Sequence, residues 1–475
     1  MSSRIVEGQM GSILPEEKRG SADRVAPRPS FVSSLVAIAC GQLATIVVAS
    51  LNQLCIARLL GPAPQGLISL CLMSVAFGSV VGSIGSEATI IVWISKSKGS
   101  PSTWFPAVMF WIVSGCALAC ALWSVLYWQW QPAFLKGITP GLALLVLSAI
   151  PITVLFSIVM SLLVGEERFR FRSVVALVNR VSALLIFLLC ILLFGRRPET
   201  AILGYLGGLA VATALALMSL GHFFRGAWRI REASKSLIPT MIFGVRGQAG
   251  TLANFFSYRL DVFMVNYFLD ASQVGLYALG VLVSEALWQL PGIVSTALCP
   301  RTARTVGAGA DSFTCSVLRQ VFLVTMVAGL VIALVSPVAL PLIFGARFAP
   351  SVAVVWWILP GTMIFSLGKV SGADLLGRGL NIYNPISSYI GVVITVVLDW
   401  FLIPRMGIQG AALASSIAYF AGGGYLLIVL KRELKTSWKN LLIPSEVELI
   451  AYKKLWLQFR ARFWPGQTST VRGMN

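Results

Sequence analysis

The stretch GLALLVLSAIPITVLFSIVMSLLV, residues 141–164, indicates the fold class, because it runs for 24 residues without a charged side chain. A helix of about 20 apolar residues crosses the hydrocarbon core of a bilayer. An open sheet in lipid would leave backbone groups unpaired, so the run predicts a transmembrane helix. Eleven similar runs fill most of the 475-residue chain, which is 57% hydrophobic and only 12% charged. This composition excludes a single soluble domain and predicts an all-α polytopic membrane protein.

The apolar runs divide the chain into twelve predicted spans. They are 31–56, 66–93, 104–128, 141–164, 173–194, 201–222, 238–268, 273–300, 317–344, 351–376, 382–403 and 407–430. The seventh span differs from the others because Arg246, Arg259 and Asp261 interrupt it.

Positive charge is distributed unequally between the two sides of the predicted bundle. The N-terminal tail, the even-numbered gaps and the C-terminal tail carry 26 Lys and Arg residues, whereas the odd-numbered gaps carry six. The positive-inside rule therefore predicts that both termini are cytoplasmic. The same bias accounts for the net charge of +19, so we expect contact with anionic membrane lipids and no nucleic-acid partner. The polar residues 1–30 lack the pattern of a cleaved signal peptide, so the first span is expected to remain as an anchor.

A weak internal repeat relates the two halves of the chain. Leu51-Asn52 and Gly66-Leu67 recur at an offset of 209 residues as Leu260-Asp261 and Gly275-Leu276. Six helices in each half predict parallel pseudo-repeats around a central cleft. The expected organisation is a cytoplasmic polar tail (1–30), an N-terminal six-helix lobe (31–224), a basic cytoplasmic linker (225–237), a C-terminal six-helix lobe (238–430) and a cytoplasmic basic tail with an amphipathic helix (431–475).

Signals for catalysis and for metal binding are scarce. His222 is the single histidine, and no HExxH, GxSxG or nucleotide-binding loop occurs. The eight cysteines form no CxxC pair and lie in or beside the spans, where they are expected to act as small packing residues. The sequence therefore predicts a protein that is not an enzyme and has no cofactor and no metal site.

Charged residues inside the spans are the functional candidates, because a charge at mid-bilayer costs roughly 2.5–3.5 kcal/mol unless it faces protein or water. Arg246 and Glu285 lie deepest in their spans, too far in for their side chains to extend to the membrane surface, and this favours a functional role. Lys369 is interpreted as either a cavity cation or a partner in an inter-helix ion pair. Arg259 and Asp261 either act in function or pair with neighbours. Asp399 lies near the external end of its span and is expected to be solvated.

Three ordered motifs carry a resemblance to a known family. They are Ala57–Pro62 with Gly66, then Arg259–Asp261 followed by Val274–Tyr277, and finally Ile403-Pro404 with Gly407–Ala414. This set resembles the polysaccharide transporters of the Wzx type, which belong to the multidrug/oligosaccharidyl-lipid/polysaccharide flippase superfamily. The resemblance covers roughly residues 31–430. Multidrug exporters of the MATE type and lipid II flippases belong to the same superfamily. Lipid II flippases have fourteen spans and a more acidic first-loop signature, which disfavours a peptidoglycan role for this chain.

The resemblance implies a MATE-like fold in the bacterial inner membrane. It also implies the flipping of a polyprenyl-pyrophosphate-linked oligosaccharide for the synthesis of exopolysaccharide, capsule or O-antigen. A polysaccharide polymerase and a chain-length regulator are the implied protein partners. In a central cleft, Arg246, Arg259 and Lys369 are suited to receive the anionic pyrophosphate. An ion-coupled MATE-type exporter is the alternative function, although a cationic drug would need an acidic cavity. A polymerase or glycosyltransferase is disfavoured because no span-to-span gap can hold a soluble domain.

The energy source is expected to be an ion gradient or downstream consumption of the product, because the sequence offers no nucleotide site. A proton carrier should be a membrane-embedded acid that changes protonation near neutral pH. Glu285 is the first candidate because it lies far from both membrane surfaces, and Asp261 is the second. The structural alternative is that Glu285 pairs with a cation such as Arg246 and only holds the two halves together.

Overall fold

A computed structural model describes residues 31–96, 105–221, 230–304 and 308–443. Some side chains within these ranges lie outside the described part, among them that of Arg246. His222, the polar N-terminal tail and the expected amphipathic helix of the C-terminal tail also lie outside it. The described α-helices are α1 (Phe31–Leu60), α2 (Pro62–Ser83), α3 (Ser86–Lys96), α4 (Phe105–Trp130), α5 (Pro140–Gly165), α6 (Phe169–Phe194), α7 (Pro198–Ser219), α8 (Ile230–Phe268), α9 (Ala271–Glu285), α10 (Gln289–Arg304), α11 (Ala308–Phe344), α12 (Ser351–Gly377), α13 (Tyr383–Met406), α14 (Ile408–Glu433) and the short α15 (Trp438–Leu442).

The helical membrane fold predicted from hydropathy is confirmed. Within the described ranges, ten helical segments are long and apolar enough to cross a membrane. The helices α1 and α8 are also long, and α1 contains the shorter apolar stretch Ala44–Leu60. Together these segments are compatible with the expected twelve spans.

Two predicted spans are interrupted rather than continuous. The second span breaks between α2 and α3, where Ile84 and Gly85 both adopt positive φ angles, 44° and 75°. A side chain at Gly85 would collide with the backbone carbonyl of Gly244 in α8, so glycine is needed there for close approach. The eighth span passes through a 3₁₀ turn, Ala286–Trp288, between α9 and α10. Broken helices at membrane depth are tolerated where the backbone faces protein or a cavity.

The helices pack as two groups. In the N-terminal group, α1 packs on α6, α2 on α4 and α5, and α7 on α5 and α6. In the C-terminal group, α14 packs on α12 and α13, α8 packs on α13, and α12 also contacts α9, α10 and α11. We call these groups the N-terminal lobe (α1–α7) and the C-terminal lobe (α8–α14). The lobes meet where α2 packs on α9, where α8 contacts α2, α3 and α4, and where α1 approaches α11.

The lobes are sealed at the end of the bundle where α1 ends and α2 begins. Gly66 of α2 and Gly275 of α9 face one another, and a side chain at either position would collide with backbone of the opposite helix. Arg58 donates hydrogen bonds to the carbonyl oxygens of Leu342 and Ile343 in the C-terminal lobe. On the same side of the bundle, Lys136 donates to the carbonyl oxygen of Tyr267 at 2.6 Å. These contacts join the two lobes at this end of the bundle, and we call them the seal.

Candidate functional site

A cavity of about 620 Å³ lies between the lobes, away from the seal. Six helices supply its walls: α1, α5 and α6 from the N-terminal lobe, and α8, α10 and α12 from the C-terminal lobe, together with the junction of α9 and α10. Its lining residues are Gly41, Thr45, Ile46, Met160, Arg172, Ser173, Ala176, Tyr258, Arg259, Glu285, Trp288, Gln289, Gly292, Ile293 and Lys369. We call it the inter-lobe cavity. Within the described lining, three side chains are cationic and one is a carboxylate, which leaves the walls net positive.

Arg259 and Glu285 form a bidentate ion pair in the wall of this cavity. The Nη1 and Nη2 atoms of Arg259 donate to the two carboxylate oxygens of Glu285 at 2.8 and 3.0 Å. The arginine side chain keeps 29% of its surface exposed and the glutamate 13%. The forked geometry suits a planar guanidinium, and lysine cannot reproduce it. Glu285 is the last residue of α9, directly before the 3₁₀ turn, so the break in the helix presents this carboxylate to the cavity.

Lys369 lies among aromatic rings, and Glu285 is within electrostatic range of it but forms no ion pair with it. Its ammonium nitrogen is 4.2 Å from the ring centre of Trp288, 5.5 Å from that of Tyr258 and 5.8 Å from that of Phe365. Ring faces attract a cation without neutralising its charge. No ion pair within 4 Å involves this ammonium in the part of the chain that the structure describes. Its charge therefore remains available to an anion in the cavity.

Arg172 is a third cation of the cavity, and sequence reasoning missed its role. Its Nε atom is buried and has no hydrogen-bond partner among the described residues. The sequence places Arg172 in a basic loop between two spans and predicts only that its charge marks the cytoplasmic side. The structure instead places it in the first turn of α6, which starts at Phe169.

Asp261 lies in a separate, buried polar site in the C-terminal lobe. Tyr277 donates a 2.5 Å hydrogen bond to the Asp261 carboxylate, and Ser415 donates to the same oxygen at 3.1 Å. The backbone N–H of Val262 donates to the second oxygen at 2.8 Å. Only 2% of Asp261 is exposed. The carboxylate is therefore held by neutral donors and does not face the inter-lobe cavity.

Asp399 is buried beside this site, so the expectation that it is solvated is wrong. Its exposed fraction is 0%, and neither carboxylate oxygen has a hydrogen-bond partner among the described residues. It lies within electrostatic range of Asp261. The hydroxyl groups of Thr395 and Tyr419 are likewise buried without a described partner. The depth of Asp399 along its span was compatible with solvent, but α13 packs on α8 and α14 and encloses this face.

An aromatic cluster separates the basic cavity from the buried acids. Trp288 and Phe365 have ring centres 5.3 Å apart, and each lies 5.3 Å from the ring of Tyr419. Tyr258 packs on the same rings at 5.3 to 6.3 Å. Tyr419 interacts electrostatically with both Glu285 and Asp261. The two sites are therefore neighbours that both border this cluster of rings.

The sequence-predicted site residues divide between these two regions. Arg259, Lys369 and Glu285 come together in the inter-lobe cavity, and Asp261 lies behind the aromatic cluster. The side chain of Arg246 is outside the described part, although its backbone belongs to α8. The ion pair of Glu285 is formed with Arg259.

Solved structures with the same fold are a flippase and transporters. An inward closed form of the lipid II flippase MurJ superposes with a TM-score of 0.67 over 89% of this chain and 93% of that one, at 14% identity. An outward-facing MATE multidrug transporter gives 0.58 over 86% and 98%, at 13% identity. The Vibrio cholerae MATE transporter VcmN in its bent form gives 0.56 over 86% and 97%, at 14% identity. These low identities establish the fold alone, and they confirm the predicted MATE-like architecture.

Sequence relatives match shorter segments. The membrane protein YabM of Bacillus subtilis (strain 168) is 33% identical over 99 residues, which is 19% of each chain. The lipid II flippase MurJ of the same organism is 36% identical over 94 residues, 20% of this chain and 17% of that protein. The matched part thus spans less than a fifth of either relative. A longer match covers residues 55–353, and by this match the chain belongs to the polysaccharide biosynthesis protein family.

Proposed function

We propose that this protein flips a polyprenyl-pyrophosphate-linked oligosaccharide across the bacterial inner membrane during polysaccharide synthesis. The single observation that carries the proposal is the net positive inter-lobe cavity lined by Arg172, Arg259 and Lys369. A pyrophosphate bears several acceptor oxygens, and charge-assisted hydrogen bonds to it are the strong ones. Membership of the polysaccharide biosynthesis family supports a substrate from that chemistry.

The arrangement of charges suggests how the cavity would recognise a pyrophosphate. Lys369 supplies a charge that its aromatic neighbours leave unneutralised. Arg172 supplies a buried N–H that has no hydrogen-bond partner in the part of the chain that the structure describes. Arg259 would exchange its forked contact with Glu285 for one with the substrate. Arg246 is proposed as a further cation for the pyrophosphate because it belongs to α8, the helix that also carries Arg259.

The inter-lobe cavity opens away from the seal, and this geometry is compatible with entry of the substrate from one face of the membrane. From the positive-inside bias we expect the cavity end on the cytoplasmic side, with both termini cytoplasmic. Lobes corresponding to 31–224 and 238–430 would then rock about the substrate. Reporter fusions after Trp130 should be external and fusions after Ser234 internal. The reverse pattern would contradict both the orientation and the direction of transport.

A cation-coupled multidrug exporter shares this fold but fits the cavity less well. A cationic drug would have to bind beside three cations, and Glu285 is already engaged by Arg259. The carboxylates of Asp261 and Asp399 are buried behind the aromatic cluster, where a large ligand cannot reach them. The charge distribution therefore favours an anionic substrate.

We propose two acidic elements for ion coupling. Protonation of Glu285 would release Arg259 to the pyrophosphate, so this carboxylate would link proton binding to substrate binding. Asp261, with its neighbour Asp399, would bind a proton or a small cation in the buried site. Ion coupling thus uses residues separate from the three cavity cations. A polysaccharide polymerase and a chain-length regulator are proposed as partners from the family's role.

The proposed function is tested with purified protein in lipid vesicles and a fluorescent polyprenyl-pyrophosphate glycan. We expect Arg172→Ala, Arg246→Ala and Lys369→Ala to lose flipping while remaining in the membrane. Arg405→Ala is the matched control, because Arg405 is exposed and lies outside the cavity lining. A charge-assisted hydrogen bond contributes roughly 1.5–3 kcal/mol, so each cavity variant should bind at least about tenfold more weakly. Normal flipping by all three variants would reject the basic-cavity hypothesis.

A further inference from the structure

A second cavity of about 500 Å³ lies within the C-terminal lobe, and its chemistry differs from that of the inter-lobe cavity. The helices α8, α10, α12, α13 and α14 line it. Pockets of about 300–1,000 Å³ hold small organic ligands. Lys369 is the one charged side chain in its described lining. We call it the C-lobe cavity.

The two cavities are adjacent. Tyr258, Gly292 and Lys369 line both of them. Among the described residues, no atom from a neighbouring helix lies within 4 Å of the position where a side chain would begin at Gly292, so the wall is open at this point. A ligand whose anionic group lies beside Lys369 in the inter-lobe cavity can therefore extend a directly attached group into the C-lobe cavity.

Hydroxyl groups in the C-lobe cavity present acceptor oxygens. Ser295 donates its single O–H to the carbonyl oxygen of Pro291 at 2.7 Å, and Ser388 donates to that of Asn384 at 3.3 Å. Ser387 donates to the carbonyl oxygen of Gly422 at 2.9 Å. A serine that has used its proton in this way can only accept a further hydrogen bond. The wall therefore suits a ligand that is rich in O–H and N–H donors.

Amide and aromatic groups complete this lining. Asn384 uses one N–H on the carbonyl oxygen of Gly372 at 3.0 Å, which leaves its own carbonyl oxygen as an acceptor. Asn254 is an exposed amide on the α8 wall. Tyr258 and Phe365 offer ring faces on which an apolar C–H surface can pack. Hydroxyl donors beside an apolar C–H face are the features of a sugar ring.

We propose that the C-lobe cavity binds the sugar attached directly to the phosphate, and that this sugar is a neutral or N-acetylated hexose. The inference rests on the proposed function, because Lys369 is taken to hold the pyrophosphate at the border of the two cavities. In a lipid-linked glycan the first sugar is bonded to the pyrophosphate, so the adjacency of the cavities matches the adjacency of the two groups. The absence of carboxylates from the described lining disfavours a cationic ligand.

The test compares two lipids that differ by a single sugar. The first is undecaprenyl pyrophosphate, and the second is the same lipid bearing one N-acetylhexosamine. Binding of each to the full-length chain is measured in nanodiscs. The wild-type protein is expected to bind the glycosylated lipid more tightly. The double variant Ser295→Leu with Ser388→Leu fills the C-lobe cavity, and we expect it to lose about tenfold in affinity for the glycosylated lipid alone.

Controls separate a filled cavity from a damaged fold. Ser148→Leu is the matched control, since its hydroxyl also donates to a backbone carbonyl but lies on an exposed face of α5 outside both cavities. The milder Ser388→Ala removes one acceptor with little change in volume, and it replaces the double variant if that variant unfolds. We expect it to weaken binding of the glycosylated lipid only.

The outcomes distinguish this inference from the proposed function. Equal loss of affinity for both lipids, or no loss for either, overturns the assignment of the C-lobe cavity while leaving the proposed function intact. Equal binding of the two lipids by the wild-type protein has the same consequence. Failure of the wild-type protein to bind either lipid overturns the proposed function, and the sugar assignment with it.

Discussion

Replacing Gly66 with alanine should weaken the seal between the lobes. A methyl group at Gly66 would collide with the carbonyl of Ala271 in the facing helix, and Gly275 lies directly opposite. The atoms nearest to such a methyl group belong to the backbone of Ala271 and Gly275, so a change of rotamer cannot relieve the collision. Overpacking of this kind costs typically 1–3 kcal/mol. Separation of α2 from α9 relieves it, so the penalty falls mainly on the sealed state.

The expected change in the ratio of open to sealed states follows from this free-energy cost of overpacking. A change of 1–3 kcal/mol between two states alters their ratio by about 5–150-fold. Gly66→Ala should therefore raise the population in which the sealed end is open and slow the transport cycle. The matched control is Gly141→Ala, at the same end of the bundle, where a side chain would meet only the Thr139 hydroxyl at 3.9 Å.

Distances between spin labels across the seal would measure this shift. Labels at Pro132 and Arg405, one in each lobe and both exposed, would report separation in a chain whose eight native cysteines have been replaced. We expect a longer-distance population in Gly66→Ala that is absent from Gly141→Ala. Identical distance distributions in the two variants would refute the conclusion that this glycine contact holds the seal.

Three further predictions concern the charged sites. Glu285→Gln should bind the pyrophosphate lipid roughly tenfold more tightly, because the variant loses a competing ion pair with Arg259 of about 1.5–3 kcal/mol. The same variant should lose stimulation of flipping by a proton gradient, and a full response to the gradient would exclude Glu285 as the coupling acid. Asp399→Asn, and equally Asp261→Asn, should abolish ion-driven flipping while leaving equilibrium binding of the lipid unchanged, and weaker binding would instead place these residues at the substrate. Lys369→Arg should retain most of the lipid affinity, because the ring faces also attract a guanidinium, whereas Lys369→Met should lose this affinity. Equal affinity in the two variants would refute a role for the charge.

Hydropathy predicts the fold of this chain well because the bilayer constrains every span in the same way. Each run of about 20 apolar residues must form a helix in lipid, and the charge bias of the gaps is independent of packing. The interruptions at Ile84 and Ala286 were not predictable from the same signal. The first accompanies a tertiary contact, the approach of Gly85 to Gly244, and both leave the local apolar pattern unchanged.

The candidate site was partly predictable from the sequence, and the predictions that were wrong or incomplete share one physical cause. Depth along a span identified Arg259, Glu285 and Lys369 as residues that need protein or water around them, and they meet at one cavity. Depth does not report which side of a helix faces a neighbouring helix. Depth therefore predicts Asp399 in solvent, although this residue is buried. It likewise indicates only a charge in a loop at Arg172, although the Nε atom of this residue is buried.

The placement of Arg259 and Asp261 on one turn of α8 links the two sites. Successive residues of an α-helix are rotated by about 100°, so side chains two apart point in nearly opposite directions. Arg259 accordingly reaches the inter-lobe cavity and Asp261 reaches Tyr277 and Ser415 on the far side. Any rotation or shift of this turn that changes the hydrogen bonds of Asp261 also displaces the guanidinium of Arg259. In the proposed mechanism, binding of a proton or cation at the buried acids and binding of an anion in the cavity would therefore act on the same turn of α8, and this turn would couple the two events mechanically.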